Sequence, residues 1–383
     1  QNFHLMSIMN NSSHTPSCYN NTTTSYKYNP DSKNVSYSAT ATTFGLISNL
    51  IAFIVLIKSF RQTKNNSRSF FLIFLGGLVV TDFMGLLVSG SFVISFHATR
   101  IDWTELDPTC HFCNFMGMSM VFYGLSPLLL GATMATQRFI GINHPFASSS
   151  RMTKRGTISM VLMVWFIAGS ISLLPQAGFG SYHIQTPGSW CFLNMTPKTS
   201  DWTFALLFSL VGLISIATSI LLNTVSVVTL LKVYCGAERR QRSRDHEAEM
   251  MLQLILIMTI STVCWCPLLV FIADKAIAST GFEGDKLHCL IKLAAWNQIL
   301  DPWVYILFRR SVLKRVNPCA LWSRTSIISL SSSIRDNVHR FARTSLGSNL
   351  RADVPEDPEK SNVMPPSPTT SSSPSPCLIG SES

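Results

Sequence analysis

Asp82, Lys292 and Asp301 stand inside long apolar stretches, where a charge is expensive unless it faces protein or water. Lys292 and Asp301 share one stretch, 287–308, with Asn297 between them. At nine residues apart they sit roughly 13 Å from each other along a helix axis, so they lie at different depths and serve different purposes. Lys292, near one end, is placed to hold an anion. Asn297, Asp301, Pro302 and Tyr305 form a polar patch in the middle, suited to a change of state, and Arg309 and Arg310 open a basic cluster at the far end. Elsewhere, Gln137-Arg138-Phe139 ends the third apolar stretch, and Cys264-Trp265-Cys266-Pro267 interrupts the sixth. Pro267 removes a helical hydrogen bond and makes a hinge, with the Trp265 ring just before it as a reporter of occupancy. Nothing suits covalent catalysis: the chain has no nucleophile–base set and no phosphate-cradling glycine loop. Cys110 and Cys113 have CxxC spacing without a second pair, so no metal and no cofactor are expected.

These residues need long apolar elements to hold them. The chain is 47% hydrophobic and 13% charged over 383 residues, where soluble proteins run near ~25% charged, and its mean hydropathy is +0.27. Seven runs, near 38–60, 69–97, 113–142, 157–178, 203–234, 249–274 and 287–308, reach the length that ~30 Å of hydrocarbon demands. They are apolar on most faces, as lipid-exposed helices are. The expected fold is an all-α membrane protein, a bundle of seven transmembrane helices. The net charge of +10 does not point to nucleic acid. Arg61, Lys64 and Arg68, then Arg151, Lys154 and Arg155, then Arg239, Arg240, Arg242 and Arg244 lie on one side, with Asp102, Glu105, Asp107, Glu283 and Asp285 on the other. The positive-inside rule makes the basic side cytoplasmic and the N-terminus extracellular, in a multi-pass protein of the plasma membrane. A transporter would show inverted repeats or broken helices, and seven helices without internal similarity argue against one.

Residues 1–37 read as an extracellular segment, with glycosylation sequons at Asn10, Asn11, Asn20, Asn21 and Asn34, and another at Asn194 between helices 4 and 5. Cys18, Cys110, Cys113 and Cys191 fall on the oxidising side. Linking Cys191 to Cys113 would fold the long loop after helix 4 over the mouth of the bundle, and Cys18 could then pair with Cys110, although spacing alone does not fix connectivity. Residues 38–308 form the bundle. Residues 309–322 suit an amphipathic eighth helix on the cytoplasmic leaflet, and 323–383 form a disordered Ser/Thr/Pro-rich tail open to phosphorylation.

Asn49 and Asp82 deep in helices 1 and 2, Arg138 at the foot of helix 3, Cys-Trp-x-Pro in helix 6 and Asp301-Pro302-x-x-Tyr305 in helix 7 together resemble rhodopsin-like G-protein-coupled receptors. Pro187-Gly188-Ser189-Trp190-Cys191-Phe192 and Trp296-Asn297-Gln298-Ile299-Leu300-Asp301-Pro302-Trp303 are similar to the signatures of the prostanoid receptor family. The resemblance spans roughly 40–316. It implies a lipid ligand whose carboxylate meets Lys292, His97, Ser189 and Trp190, and whose apolar chains lie deeper, against Met120, Phe192, Ser209 and Trp265. It implies switching and coupling through Asp82, Gln137, Arg138, Phe139, Trp265, Pro267, Asn297, Asp301, Pro302 and Tyr305. The partners it implies are a heterotrimeric G protein of the Gq class, with arrestin and receptor kinases acting on the tail. Two positions depart from the family. Lys292 stands where relatives carry arginine, keeping the charge but losing the planar fork. Gln137 stands where relatives place an acid that steadies the neighbouring arginine, so raised basal signalling is expected. A decoy that binds lipid without signalling is the other reading these two departures suggest.

Overall fold

A computed structural model of the chain describes Cys18 and residues 32–63, 66–99, 107–143, 153–186, 188–195, 199–236, 241–278 and 283–307. The 309–322 helix, the tail, and Asn10, Asn11, Asn20 and Asn21 lie outside the described residues, as does the side chain of Asn34.

Seven helices form: α1 (Ser32–Gln62), α2 (Asn66–Thr99), α3 (His111–Asn143), α4 (Lys154–Ser172), α5 (Thr199–Gly236), α6 (Gln241–Ala278) and α7 (Gly284–Leu307). Six are long and apolar enough to cross a membrane. The exception is α7, because Lys292, Asn297, Gln298 and Asp301 dilute its 24 residues; it is tolerated among lipids because Asn297 and Asp301 are wholly buried in the bundle. Every helix starts ahead of its apolar run, and two do so by the most. α1 begins at Ser32 rather than 38, and α6 at Gln241 rather than 249. Glutamine, arginine, alanine and glutamate at the start of α6 are good helix formers, so the helix runs on past the apolar run that hydropathy detects.

α3 is the central post, packed by α2, α4, α5 and the hairpin that follows α4. That post tolerates an internal Pro127. Thr153 caps α4, its hydroxyl accepting from the Gly156 amide at 3.0 Å. In the middle of the bundle, Trp165 of α4 donates to Thr81 Oγ1 of α2 at 3.0 Å, satisfying an indole that hydrocarbon could not. Thr81 in turn donates to the Gly77 carbonyl at 2.7 Å.

The chain after α4 makes a short 3-10 turn at Leu174–Ala177 and then an antiparallel hairpin, β1 (Tyr182–Gln185) and β2 (Trp190–Leu193). Tyr182 pairs with Leu193, His183 with Phe192, Ile184 with Cys191 and Gln185 with Trp190. Both strands are buried on both faces, so this external loop is an apolar lid. Gly117 on α3 lies directly under the Tyr182 ring, leaving no room for a Cβ, and the Tyr182 hydroxyl donates to the Ser172 carbonyl at 2.7 Å. Two disulfides fasten the lid to the start of α3: Cys113–Cys191, with Cα atoms 5.3 Å apart, and Cys18–Cys110, at 5.9 Å. The Ile184 amide donates to the Cys18 carbonyl at 3.4 Å, so the N-terminal segment meets the hairpin at this point. Asp107 organises the junction. Its Oδ1 accepts from the His111 amide at 2.8 Å and its Oδ2 from the Cys113 amide at 2.9 Å, and Cys110, just before them, takes φ 63.

Asn194, which the sequence marks as a sequon, is 7% exposed in the fold. The amide nitrogen that a glycan would substitute donates to Ser181 Oγ at 3.0 Å and Asp201 Oδ2 at 2.9 Å, while Ser181 donates to Asp201 Oδ1 at 2.9 Å. Asn194 is a clasp between the hairpin and the first turn of α5.

Candidate functional site: ligand cavity and switch

Beneath the hairpin lies a cavity with an open mouth. Its walls are α1, α2, α3 and α7, with Ser189 and Trp190 as roof. Helical geometry selects its polar edge. His288, Lys292 and Trp296 are spaced four apart on α7, and residues so spaced stack on one face; all three line the cavity. The Lys292 ammonium sits 5.5 Å from the centre of the Tyr37 ring on α1, a cation–π distance. One turn away, Trp296 donates to the Tyr37 hydroxyl at 2.9 Å. One turn the other way, the His288 ring lies 5.8 Å from that of Trp190, whose indole is held by the Thr186 carbonyl at 3.0 Å. The Ser189 hydroxyl is buried and has no hydrogen-bond partner among the described residues. An amphipathic acid finds here a cation, a buried hydroxyl, and apolar walls from Val93, Met116, Met120 and Ile291.

The structure thus brings Lys292, Ser189, Trp190 and Met120 to one cavity. Phe192, Ser209 and Trp265 do not line it. Phe192 packs edge-on against Phe208 at 5.7 Å and supports Trp190 from behind at 6.1 Å. Ser209 is buried with its hydroxyl returned to the Leu206 carbonyl at 3.0 Å. Trp265 lies one turn of α3 deeper than Met120, where Gly124 makes space for it: a Cβ at 124 would come within 2.8 Å of the indole. The His97 side chain lies outside the described residues. Tyr37, His288 and Trp296 were not expected from the sequence; four-residue spacing about Lys292 was the signal for the last two.

Below the cavity is a second constellation. Asn49 of α1 donates to the Gly45 carbonyl at 3.0 Å and across to the Gln298 carbonyl of α7 at 2.9 Å. Asn297 donates to Asp301 Oδ2 at 2.6 Å. Asp82 and Asp301 are both 0% exposed, and their carboxyl groups interact electrostatically. Both oxygens of Asp82, one of Asp301, and the hydroxyls of Ser126 and Tyr305 have no hydrogen-bond partner among the described residues. Two charged carboxyl groups buried close enough to interact repel each other, and a helix shift or a change of protonation relieves that repulsion. Pro302 beside Asp301, and Pro267 two residues past Trp265, give α7 and α6 the interrupted hydrogen bonding that permits such a shift.

At the cytoplasmic foot, Arg138 is buried against α2 and α6. Its Nη1 donates to Ser67 Oγ at 3.1 Å and its Nη2 to Met250 Sδ at 3.2 Å, and its guanidinium lies 4.7 Å over the Phe71 ring. Gln137 and Phe139 beside it are half-buried. The Phe139 carbonyl accepts from Asn143, whose side-chain oxygen accepts from Thr229 of α5 at 2.9 Å. One element from each side, α2, α3, α5 and α6, therefore meets within a turn of Arg138.

Outside the membrane, electrostatics fix the lid and the outer helix ends. Lys275 of α6 donates to Glu283, just before α7, at 3.0 Å, and that bond holds the Glu283 carboxyl below its usual range. His183 on β1 is pushed below the ordinary imidazole value by burial, and the Asp201 carboxylate opposes the shift. The folded lid therefore prefers neutral His183. Its contribution to stability is full above the ordinary value near ~6.5 and is lost as pH falls through the depressed one. The melting temperature of the purified protein should fall as pH drops from about 7 to about 5, and His183→Gln should flatten that fall. Identical profiles for the two proteins would remove His183 from the account.

Comparison with known proteins agrees with this geometry. The family model for the 7 transmembrane receptor (rhodopsin family) matches residues 8–305. The chain is 50% identical over 293 residues to the thromboxane A2 receptor of Chlorocebus aethiops, covering 74% of this chain and 85% of that receptor. It is 48% identical over 316 residues to the thromboxane A2 receptor of Bos taurus, covering 79% and 92%. It is 38% identical over 294 residues to the human prostaglandin F2-alpha receptor, covering 74% and 80%. A bundle of seven helices, a lidded apolar cavity with a cation on α7 and a buried carboxyl pair below it thus belong to a chain that is a member of the rhodopsin family of G-protein-coupled receptors, within its prostanoid-receptor branch.

Proposed function

We propose that this receptor binds thromboxane A2, or a prostanoid very close to it, and signals through the Gq class to phospholipase C and calcium. The observation that carries the ligand class is Lys292 at the polar edge of an otherwise apolar cavity roofed by Ser189 and Trp190. The carboxylate of the acid pairs with the Lys292 ammonium and reaches the Ser189 hydroxyl. The two hydrocarbon chains run down past Met116 and Met120 toward Trp265. The relatives named as thromboxane A2 receptors support the choice within the class. Agonist shifts an existing equilibrium rather than building a new state: pressure on the Trp265 ring tilts α6 at Pro267, the Asp82–Asp301 cluster rearranges, and Met250 leaves Arg138, opening the cytoplasmic mouth to a G-protein helix. Receptor kinases and arrestin then act on the Ser/Thr-rich tail.

Competition binding against a panel of prostanoid acids, with calcium flux in the same cells, tests this. A stable thromboxane analogue should compete best and raise calcium through a Gq-sensitive route. Another prostanoid displacing it at lower concentration would reassign the ligand, and specific binding with no flux would favour the decoy.

Gln137 gives a separate expectation. Restoring an acid beside Arg138 adds an ion pair worth about 0.5–1 kcal/mol, a factor of about 2–5 in the inactive-to-active ratio. Gln137→Glu should lower agonist-free second-messenger output by that factor at equal surface expression; equal output would sink the idea.

A further inference from the structure

α3 contains no Asp or Glu, and α2 holds Arg138 by several contacts. Beyond the bond to Ser67 Oγ, its Nη2 donates to the Ser67 backbone carbonyl at 3.4 Å, and Phe71, one turn along, supports the guanidinium face. Ser67 is itself exposed, the second residue of α2. Ser67 therefore bonds a nearly buried cation through its hydroxyl while the residue as a whole is exposed at the start of α2. The stretch around it, Arg61-Gln-Thr-Lys64-Asn-Asn-Ser67-Arg68, is basic on both sides. The first turn of a helix frays readily and its N-terminal dipole favours an anion.

We propose that Ser67 is a phosphorylation site, and that phosphate there clamps Arg138 against α2 and lowers G-protein coupling. The kinase is one whose acidic substrate groove matches basic flanks. Ser67 Oγ attacks the terminal phosphorus of a nucleoside triphosphate, the bond to the nucleoside diphosphate breaks, and the hydroxyl proton passes to the kinase's base. The product carries about two negative charges and three acceptor oxygens where one hydroxyl stood. A guanidinium takes such a group through paired, charge-assisted bonds. Arg138 is then held in the arrangement in which Met250 of α6 is docked on it, and the outward movement of α6 is opposed. The modification supplies from α2 the negative partner that Gln137 does not supply from α3. This rests on the G-protein coupling proposed above but not on which lipid the cavity takes.

The test uses the full-length receptor in cells whose basophilic kinases have been stimulated. Phosphopeptide mass spectrometry should place phosphate on Ser67; none there after stimulation overturns the site. Agonist-free nucleotide exchange is then compared across a panel of G proteins at matched surface expression. Ser67→Glu should run about threefold or more below Ser67→Ala, with saturation binding of a stable agonist analogue unchanged in both. Equal exchange by the two variants overturns the clamp. A wild-type receptor that drives no exchange would instead defeat the coupling reading, and the mass spectrum would still decide the site.

Discussion

Lys292→Ala should weaken binding of a prostanoid acid by about 30- to 700-fold. A charge-assisted hydrogen bond in a partly buried site contributes about 1.5–3 kcal/mol. Removing the cation also leaves a carboxylate facing Tyr37, Trp190 and Trp296 with poor hydration. A total of about 2–4 kcal/mol converts to that range at 1.4 kcal/mol per tenfold. Two companions isolate the charge from the packing. Lys292→Arg keeps the cation and gains a fork for both carboxylate oxygens, so affinity should hold or rise. The methyl ester of the same ligand should lose affinity on the native receptor and lose little more on Lys292→Ala, because the partner is already gone; the double-mutant logic reads the coupling directly. An ester that binds the native receptor as well as the acid would mean that Lys292 is not the anchor, and that the Tyr37 ring is the main partner of its ammonium.

Cys191→Ser should reduce specific binding to about a tenth or less of native. Cys191 lies in β2 opposite Ile184 and is joined to Cys113 across 78 residues. Closing a loop of that length stabilises by about 4.5 kcal/mol on the chain-entropy account. The loss reaches binding because the adjacent Trp190 and Ser189 form the cavity roof. The double variant Cys113→Ser/Cys191→Ser should match the single one, because either change removes the whole bond. Cys18→Ser frees the N-terminal segment but leaves the roof fastened, so saturation binding on washed membranes should show a smaller effect. Full binding by Cys191→Ser would refute the lid as a positioned element.

The seven helices were legible because a bilayer leaves little choice: an apolar run of sufficient length must be helical to satisfy its own backbone. Asn49, Asp82, Asn297 and Asp301 were legible as interior residues for the same reason. What the sequence hid was rotation. α5 is apolar on every side, so no periodicity says which way Ser209 faces, and the structure turns it into packing rather than into the cavity. Tyr37 was hidden by a boundary, since the polar start of α1 reads as a loop although it continues the helix. The ladder of His288, Lys292 and Trp296 was present in the four-residue spacing of α7. Asn194 shows the opposite limit. Its sequon is a three-residue pattern, and no such pattern can register Asp201, which lies outside it and engages the amide.

The clustering of half-cystines at the head of α3 bears on how the receptor is made. Cys110 and Cys113 are three residues apart, and their partners Cys18 and Cys191 both reach Ile184, one by a backbone hydrogen bond and one by strand pairing. The nearest wrong isomer therefore needs only an exchange of partners, Cys18 to Cys113 and Cys110 to Cys191, within the same small volume. Asp107 bears on which outcome forms, because it holds the amides of His111 and Cys113, just after Cys110 in its left-handed turn, and so shapes the backbone that carries both cysteines. Maturation in the secretory pathway then depends on this one carboxylate, and receptor lacking it should accumulate as shuffled, endoplasmic-reticulum-retained protein rather than as a surface receptor with altered pharmacology.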